Sequence, residues 1–460
     1  TLAGKTLEKT AIISRMRRDA NLYDLPPVRC KKQRGRPRKR GKKLAKPQSM
    51  VNRVKNWKAV TFCQRGKTVT RQVYTRVVLW YAVSHTPVLL VICRDPEGKE
   101  KDDFFFTTCK CASCIAAKGN QSWTEFRLAL MIEAARELVL APARAANPNV
   151  QVIIKYPNWY EHFQGLGFNL ETQPPIFDGL YTGTETRDPI RRDQHLQPYH
   201  GYSIFRYFEN IKPGCNLGGW VDTGGMTYLD RYVEQFWLTL FAKAPELTLF
   251  DFRQLQYLLT PSLRGAWQDA GNTSFNFDAM IAPLRLPDGT WPEDTTLGPA
   301  VGYALEQVDG ILGELGNPLG VACYRPHHAT GEDFLHSYLG MLGIPIDLRP
   351  DFPAEAETVL LTESAKFDAE IVDKIKGQLT SGKTVVVTSG LFKALQDRGI
   401  CDIVELEVTD RKASVQDYHI NRFQASSGDA PVLIPHINYL TNDSWEMVSG
   451  VSRTTGHPIF

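Results

Sequence analysis

Apolar and polar positions change rhythm several times along this chain. In KAVTFCQRGKTVTRQVYTRVVLWYA and TPVLLVICRDPEGK they alternate with period two, which predicts three or four antiparallel strands joined by Gly-containing turns. From Ser122 the period becomes helical: WTEFRLALMIEAARELVLAPARAANP puts Phe126, Leu130, Ile132, Ala135 and Leu138 or Val139 on one inner face. Short apolar runs then alternate with helical stretches. VQVIIKYP, FDGLYTGTE, LGGWVDTG and LTLFDFRQ read as strands, with helices over 195–210, 226–243 and 299–315, and this alternation predicts a parallel α/β sheet.

After residue 316 the pattern repeats with other words. GVACY, PIDLR, TVLLT and KTVVVTSG read as strands between helices at 331–342, 366–379 and 390–398, a flavodoxin-like, doubly wound pattern. From about 402 onward, IVELEVTDRKASVQDYHINRF starts a β-rich segment that ends before it could close. The expected organisation is 1–108 with a basic arm at 29–46, then 109–316, 317–402 and 403–460. The expected class is α/β, preceded by a basic, mostly β N-terminal segment.

Charge changes this picture. The 460 residues carry a net +4, but residues 1–110 hold 27 basic and 8 acidic side chains, +19, which leaves 27 and 42, −15, for the rest. Such asymmetry points to a nucleic-acid-contacting segment joined to an acidic globular body. Residues 29–46 contain eleven Lys or Arg and no acid, so alone they form an extended arm. Within it, Arg34-Gly35-Arg36-Pro37 has the AT-hook pattern, in which Gly approaches the groove floor and two Arg enter a narrow minor groove. Arg38, Lys39 and Arg40 add phosphate contacts; the other reading of the run is a solvated basic loop.

No apolar run reaches the ~18–20 residues of a membrane helix, and charges interrupt the N-terminus where a secretory signal would be apolar. Nine unevenly spaced cysteines argue against a disulfide scaffold, so a reducing, cytoplasmic setting is expected. A start at Thr1 and an end at HPIF read as a fragment or a fusion.

The residues after each parallel strand carry the candidate chemistry. They are Lys155, Asn158, Trp159, Tyr160 and Glu161; Tyr181, Thr184, Glu185, Arg187 and Asp188; Trp220 and Asp222; Asp251 and Arg253. In α/β barrels the active site lies at the C-terminal ends of the strands. Sugar rings stack on Trp and Tyr, and glycosidic cleavage uses two carboxylates. Any single acid reads equally as a helix cap or an Arg partner. Cys109, Cys111 and Cys114 form a C-x-x-C pincer suited to zinc or, without a fourth ligand nearby, a set of reduced structural thiols. No metal or cofactor is expected.

Two resemblances sharpen these expectations. Ile12-Ile13-Ser14-Arg15, MRRDANLYDLPP, RGRPRKRGKK, Trp80-Tyr81 and RDPEGK, in this order, resemble the central part of DDE-type insertion-sequence transposases over about 8–108. The resemblance implies DNA as a partner. That family's catalytic carboxylates lie outside the segment, and Asp19, Asp24 and Asp95 match non-catalytic places, so no strand transfer is expected.

IIKYPNWYEHFQ, FDGLYTGTETRDP, NIKPG and GGWVD resemble bacterial glycoside-hydrolase-like TIM-barrel proteins over about 103–316. This implies a carbohydrate substrate and a partial (β/α) barrel, its four strands being the fifth to eighth and DDFFF ending the fourth. The acid/base and nucleophile places then hold Asp103 and Asp222, with Glu185 an equal candidate for either, and Lys155, Asn158, Trp159, Tyr160, Tyr181, Arg187, Trp220 and Asp251 line the sugar. Residues 317–402 resemble the glutamine-amidotransferase-like domain that accompanies several glycosidases, which implies a homo-oligomer; its turns at Thr362-Glu363-Ser364 and Thr388-Ser389-Gly390 lack the Cys of a catalytic elbow. The expected function is hydrolysis of O-glycosyl bonds, impaired by the missing barrel half. The alternative is a DNA-binding transposase remnant.

Overall fold

In a computed structural model, residues 13–26, 39–64, 67–82, 87–98, 101–107, 122–158, 163–186, 196–222, 228–265, 277–290, 292, 294–420, 424–440 and 446–459 are described. The chain forms two compact units, Thr1–Glu133 and Ala134–Phe460.

The first unit holds β1 (Ile13–Arg15), β2 (Lys58–Gln64), β3 (Lys67–Val78), β4 (Val88–Arg94) and β5 (Asp103–Thr107) in one antiparallel sheet of order β1-β5-β4-β3-β2. Period two drives it. In β5, Phe104 and Phe106 point into a core with Leu22, Trp80, Leu90 and Ile92, while Asp103 points outward to Arg15 at 3.4 Å. DDFFF was expected to end a parallel barrel strand. It instead pairs antiparallel with β4, because alternating Phe residues match the alternating apolar face of VLLVICR.

Helix Trp123–Ala134 begins with a reciprocal cap: the Glu125 amide donates to Ser122 Oγ at 3.1 Å, and the Ser122 amide donates to the Glu125 carboxylate at 2.6 Å. A π-helical stretch, Ala135–Leu140, follows. Its wider turn rotates the apolar stripe, so Leu138 and Val139, expected on the inner face, are 51% and 48% exposed, and Ala135 and Leu140 are buried against Phe177 instead.

The described residues of the second unit form three sheets. β6 (Ile153–Tyr156), β7 (Gly179–Gly183), β8 (Asn216–Asp222) and β9 (Leu247–Phe250) are parallel and follow one another in chain order. Helices His200–Ile211, Leu229–Phe241 and Leu297–Leu312 pack on one face of this sheet. Tyr156 and Leu180 meet Ile204 and Phe208 there, and Val221 meets Val233 and Phe236.

β10 (Val321–Tyr324), β11 (Ile346–Arg349), β12 (Thr358–Leu361) and β13 (Thr384–Val387) form a second parallel sheet of order β11-β10-β12-β13. Helix Leu335–Met341 starts later than the periodicity predicts, because Gly331 and Glu332 both take positive φ (123° and 51°) and the Glu332 carboxylate is tied to the Thr388 hydroxyl at 2.6 Å. Cys323, Ile346 and Leu348 join Tyr156 and Phe208 in one core, so the two parallel sheets share apolar side chains. The C-terminal residues form β14 (Leu406–Ile420), β15 (Gln424–Tyr439), β16 (Val448–Ser452) and β17 (Pro458–Ile459), an antiparallel sheet of order β15-β14-β16-β17. No helix among the described residues is long and apolar enough to cross a membrane.

Candidate active site

Alternation within β6 to β9 sorts the side chains. Tyr156, Thr182, Thr184 and Asn216 point towards the helices: Thr184 Oγ1 accepts from Thr239 at 2.7 Å, and Asn216 Nδ2 donates to the Phe205 carbonyl at 3.1 Å. Their neighbours Lys155, Tyr181, Glu185, Trp220, Asp222, Thr248 and Phe250 lie at the alternate positions of the same strands and the loops that continue them. Tyr181 shares a hydrogen bond with Thr248 across β8 at 2.9 Å, over Gly218, where a Cβ would collide with the Tyr181 ring.

Two buried carboxylates, Glu185 and Asp222, leave at the same ends of neighbouring strands. Gly183 pairs with Trp220, and the Thr184 amide donates to the Trp220 carbonyl at 2.9 Å, so Glu185 follows the end of β7 while Asp222 is the last residue of the neighbouring β8. Both are less than a tenth exposed. Lys155 reaches from β6 to within 3.9 Å of Glu185 Oε1, and its ammonium stands 4.5 Å from the centre of the Trp220 ring. From the other side in strand order, Phe250 stacks on Trp220 with centroids 5.0 Å apart. The approach requires Gly183: a Cβ there would meet Glu185 Oε2 at 3.0 Å and the Asn158 amide at 3.1 Å.

Behind this cluster, the Asn158 side-chain amide donates to the backbone carbonyl of Glu185. The Thr186 amide donates to Gln235 Oε1 at 2.8 Å. His200, fully buried, bonds the Asn158 carbonyl through Nε2 at 2.8 Å. Burial, reinforced by the charge of Arg325, holds the His200 imidazole down at about 4 against the opposing pull of that carbonyl. Burial also raises the Tyr232 phenol, with the nearby charge of Asp222 adding to the effect.

The structure thus brings together Lys155, Asn158, Glu185 and Trp220, with Tyr181 and Asp222 at alternate positions of the same strands. Asp251 takes the helix-cap alternative: it accepts from the Gln254 amide at 3.2 Å, pairs with Arg253 at 2.7 Å, and that Arg253 bond holds its carboxyl below the usual range. Asp103 lies in the first unit, against Arg15. In that unit Arg40 lies 4.5 Å from the centre of the Tyr23 ring, and the Lys39 carbonyl accepts from the Tyr81 hydroxyl at 2.7 Å. Trp159, Tyr160, Arg187, Arg34, Arg36, Arg38, Cys109, Cys111 and Cys114 lie outside the described residues. Among the described residues, no group of three or more His, Cys, Asp or Glu is placed to hold a metal ion.

Sequence reasoning missed Phe250, Gly183 and His200. Phe250 had a signal, as the last residue of the strand word LTLF; the other two had none, since a Gly in a strand and a His in a helix are ordinary.

Residues 101–314 match the family described as "Probable glycosyl hydrolase, catalytic domain". The glycosyl hydrolase match includes Glu185, Asp222, Lys155 and Trp220. Residues 316–459 match the family described as "Uncharacterized protein SSO3021, second domain". Uncharacterized protein SSO3021 of Saccharolobus solfataricus is 25% identical over 286 residues, which cover 60% of this chain and 42% of that protein. The chain therefore spans less than half the length of this relative. Among solved structures, a beta-galactosidase from Rahnella sp. R3 aligns with a TM-score of 0.46 at 12% identity, over 73% of this chain and 52% of that one. Alpha-L-fucosidase isoenzyme 2 from Paenibacillus thiaminolyticus aligns with a TM-score of 0.40 at 12% identity, over 75% and 50%.

Proposed function

We propose that the second unit of this chain carries a carbohydrate-active site that hydrolyses O-glycosyl bonds. The observation that carries the proposal is that Glu185 and Asp222, both buried, stand at the ends of adjacent parallel strands within the span that matches a glycosyl hydrolase catalytic domain. Parallel strands in the order β6-β7-β8-β9, each followed by helix or loop, suit one half of a (β/α) barrel, whose catalytic side chains stand at strand C-termini.

Lys155 separates the roles. Its ammonium lies 3.9 Å from Glu185, the ion-pair geometry of a carboxylate, and Glu185 takes the role of nucleophile or base at the anomeric carbon. Asp222, the second buried acid, donates its proton to the departing glycosidic oxygen. Trp220 and Phe250 supply apolar surface for a sugar ring. Hydrolysis of a panel of aryl glycosides by the purified chain tests this reading; no hydrolysis and no sugar binding would overturn it.

A second reading concerns residues 29–46, where eleven cations without an acid favour contact with nucleic acid through Arg34, Arg36, Arg38, Lys39 and Arg40.

A further inference from the structure

The two parallel sheets of the second unit are joined by a buried polar chain as well as by apolar contacts. Ser337, on helix Leu335–Met341 beside the second sheet, stands 3.4 Å from His200 Nδ1. His200 Nε2 stands 2.8 Å from the Asn158 carbonyl, just past the end of β6. The Asn158 side chain donates to the Glu185 carbonyl just past the end of β7. His200, Ser337, Asn158 and Glu185 are all at least 95% buried.

The donors and acceptors settle the direction of this chain. A carbonyl only accepts, so Nε2 of His200 carries the proton and donates to Asn158. Nδ1 is then the acceptor, and the Ser337 hydroxyl donates to it. The neutral ring fits its surroundings. Its charged neighbour Arg325, 2% exposed and paired with Asp333 at 2.8 Å, disfavours a second positive charge, and the Phe334 ring lies against the imidazole with centroids 6.1 Å apart.

We propose that His200 and Asn158 are positioning residues for Glu185, and that Ser337 extends this positioning to the second parallel sheet. The inference rests on the reading of Glu185 as the reacting carboxylate. Residues 184–186 lie beyond the last paired residue of β7, so the ladder no longer fixes the Glu185 carbonyl, and Asn158 does so in its place. Without His200 the Asn158 loop loses its anchor, and the Glu185 carboxylate shifts relative to Lys155 and Asp222.

The experiment compares His200→Leu, which removes both ring nitrogens, with His200→Gln, whose amide can donate to Asn158 and accept from Ser337. Two readouts are taken: turnover of an aryl glycoside, and hydrogen exchange of the Thr184 and Thr186 amides, which are bonded to the Trp220 carbonyl and to Gln235. We expect His200→Leu to lower kcat by about 10- to 100-fold with KM within about threefold, the scale expected when a reacting group is misplaced by about 1 Å. Exchange at 184 and 186 rises in the same variant, and His200→Gln restores both readouts. Ser337→Ala, a smaller change, gives a weaker effect of the same kind and serves where His200→Leu does not fold. Unchanged kcat and exchange in His200→Leu, or a Gln variant as impaired as the Leu variant, would overturn the inference. If the wild-type chain hydrolyses no glycoside, the functional reading falls, and the exchange data alone decide whether His200 positions residues 184–186.

Discussion

Lys155 Nζ lies 3.9 Å from Glu185 Oε1, and Gly183, a strand position without a side chain, leaves the space that Glu185 occupies. The pair links the ends of β6 and β7, and Trp220 on β8 holds the same ammonium through its ring face. One cation thereby orders three strand ends. A buried carboxylate beside it is held in place, as a reacting carboxylate needs to be.

Removing either carboxylate should reveal its role through the leaving group. Glu185→Gln lowers hydrolysis of all aryl glycosides by about 10²- to 10⁴-fold. Asp222→Asn does so for poor leaving groups but spares dinitrophenyl glycosides, whose departing oxygen needs no proton. Steady-state rates on paired substrates, with circular dichroism as a fold control, check this; equal losses for both substrates in Asp222→Asn would remove it from the donor role.

Gly183→Ala places a methyl group 3.0 Å from Glu185 Oε2 and 3.1 Å from the Asn158 amide. Overpacking of this kind costs about 1–3 kcal/mol and displaces the carboxylate. We expect a lower denaturant midpoint and a fall in kcat larger than any change in KM.

Three histidines, His200 and His336 buried and His328 half-buried, make the fold sensitive to acid. His200 and His328 are held down at about 4 and His336 at about 3, chiefly by burial, whereas in the unfolded chain each titrates near its ordinary 6.5. Between these values the unfolded state binds more protons, so stability is full above about pH 6.5 and is lost as pH falls towards 4. Each histidine contributes up to about 1 kcal/mol per pH unit in this window. Urea titrations at pH 7 and pH 5 should show the loss, and His200→Gln should flatten it.

Arg325, almost fully buried, depends on Asp333 at 2.8 Å and on the Ala329 carbonyl at 2.9 Å. Asp333→Asn removes the opposing charge and should cost about 3 kcal/mol, as expected for a broken buried pair. Chemical denaturation measures it, and a double variant with Arg325→Met should recover part of the loss.

For residues 29–46, duplex DNA affinity should fall linearly in log–log form with salt, at about 0.9 per phosphate neutralised. Replacing Arg34 and Arg36 with Ala should shallow the slope in filter-binding or anisotropy titrations. A slope near zero in the wild-type chain would remove the nucleic-acid reading.

Much of the architecture was legible in the chain itself. Period-two alternation marked β2 to β4, and the words IIKYP, GLYTG, GGWVD and LTLF located β6 to β9 with Lys155, Glu185, Trp220 and Asp222 near their ends. Local periodicity suffices there because each element must present one apolar face to a core. The same rule erred at Leu138 and Val139, since a π turn alters the phase without changing the composition.

Which strand joins which sheet was decided only by tertiary structure. DDFFF has the same local pattern whether it pairs parallel or antiparallel, and its partner β4 determined the outcome. Asp251 and Asp222 look alike as acids at strand ends, yet one caps a helix beside Arg253 while the other stays buried next to Tyr232. The chain of Ser337, His200, Asn158 and Glu185 spans 179 positions in sequence and a few hydrogen bonds in space. Sequence determined which side chains were present and which face each element buried; long-range pairing, which no local pattern encodes, decided which of them meet.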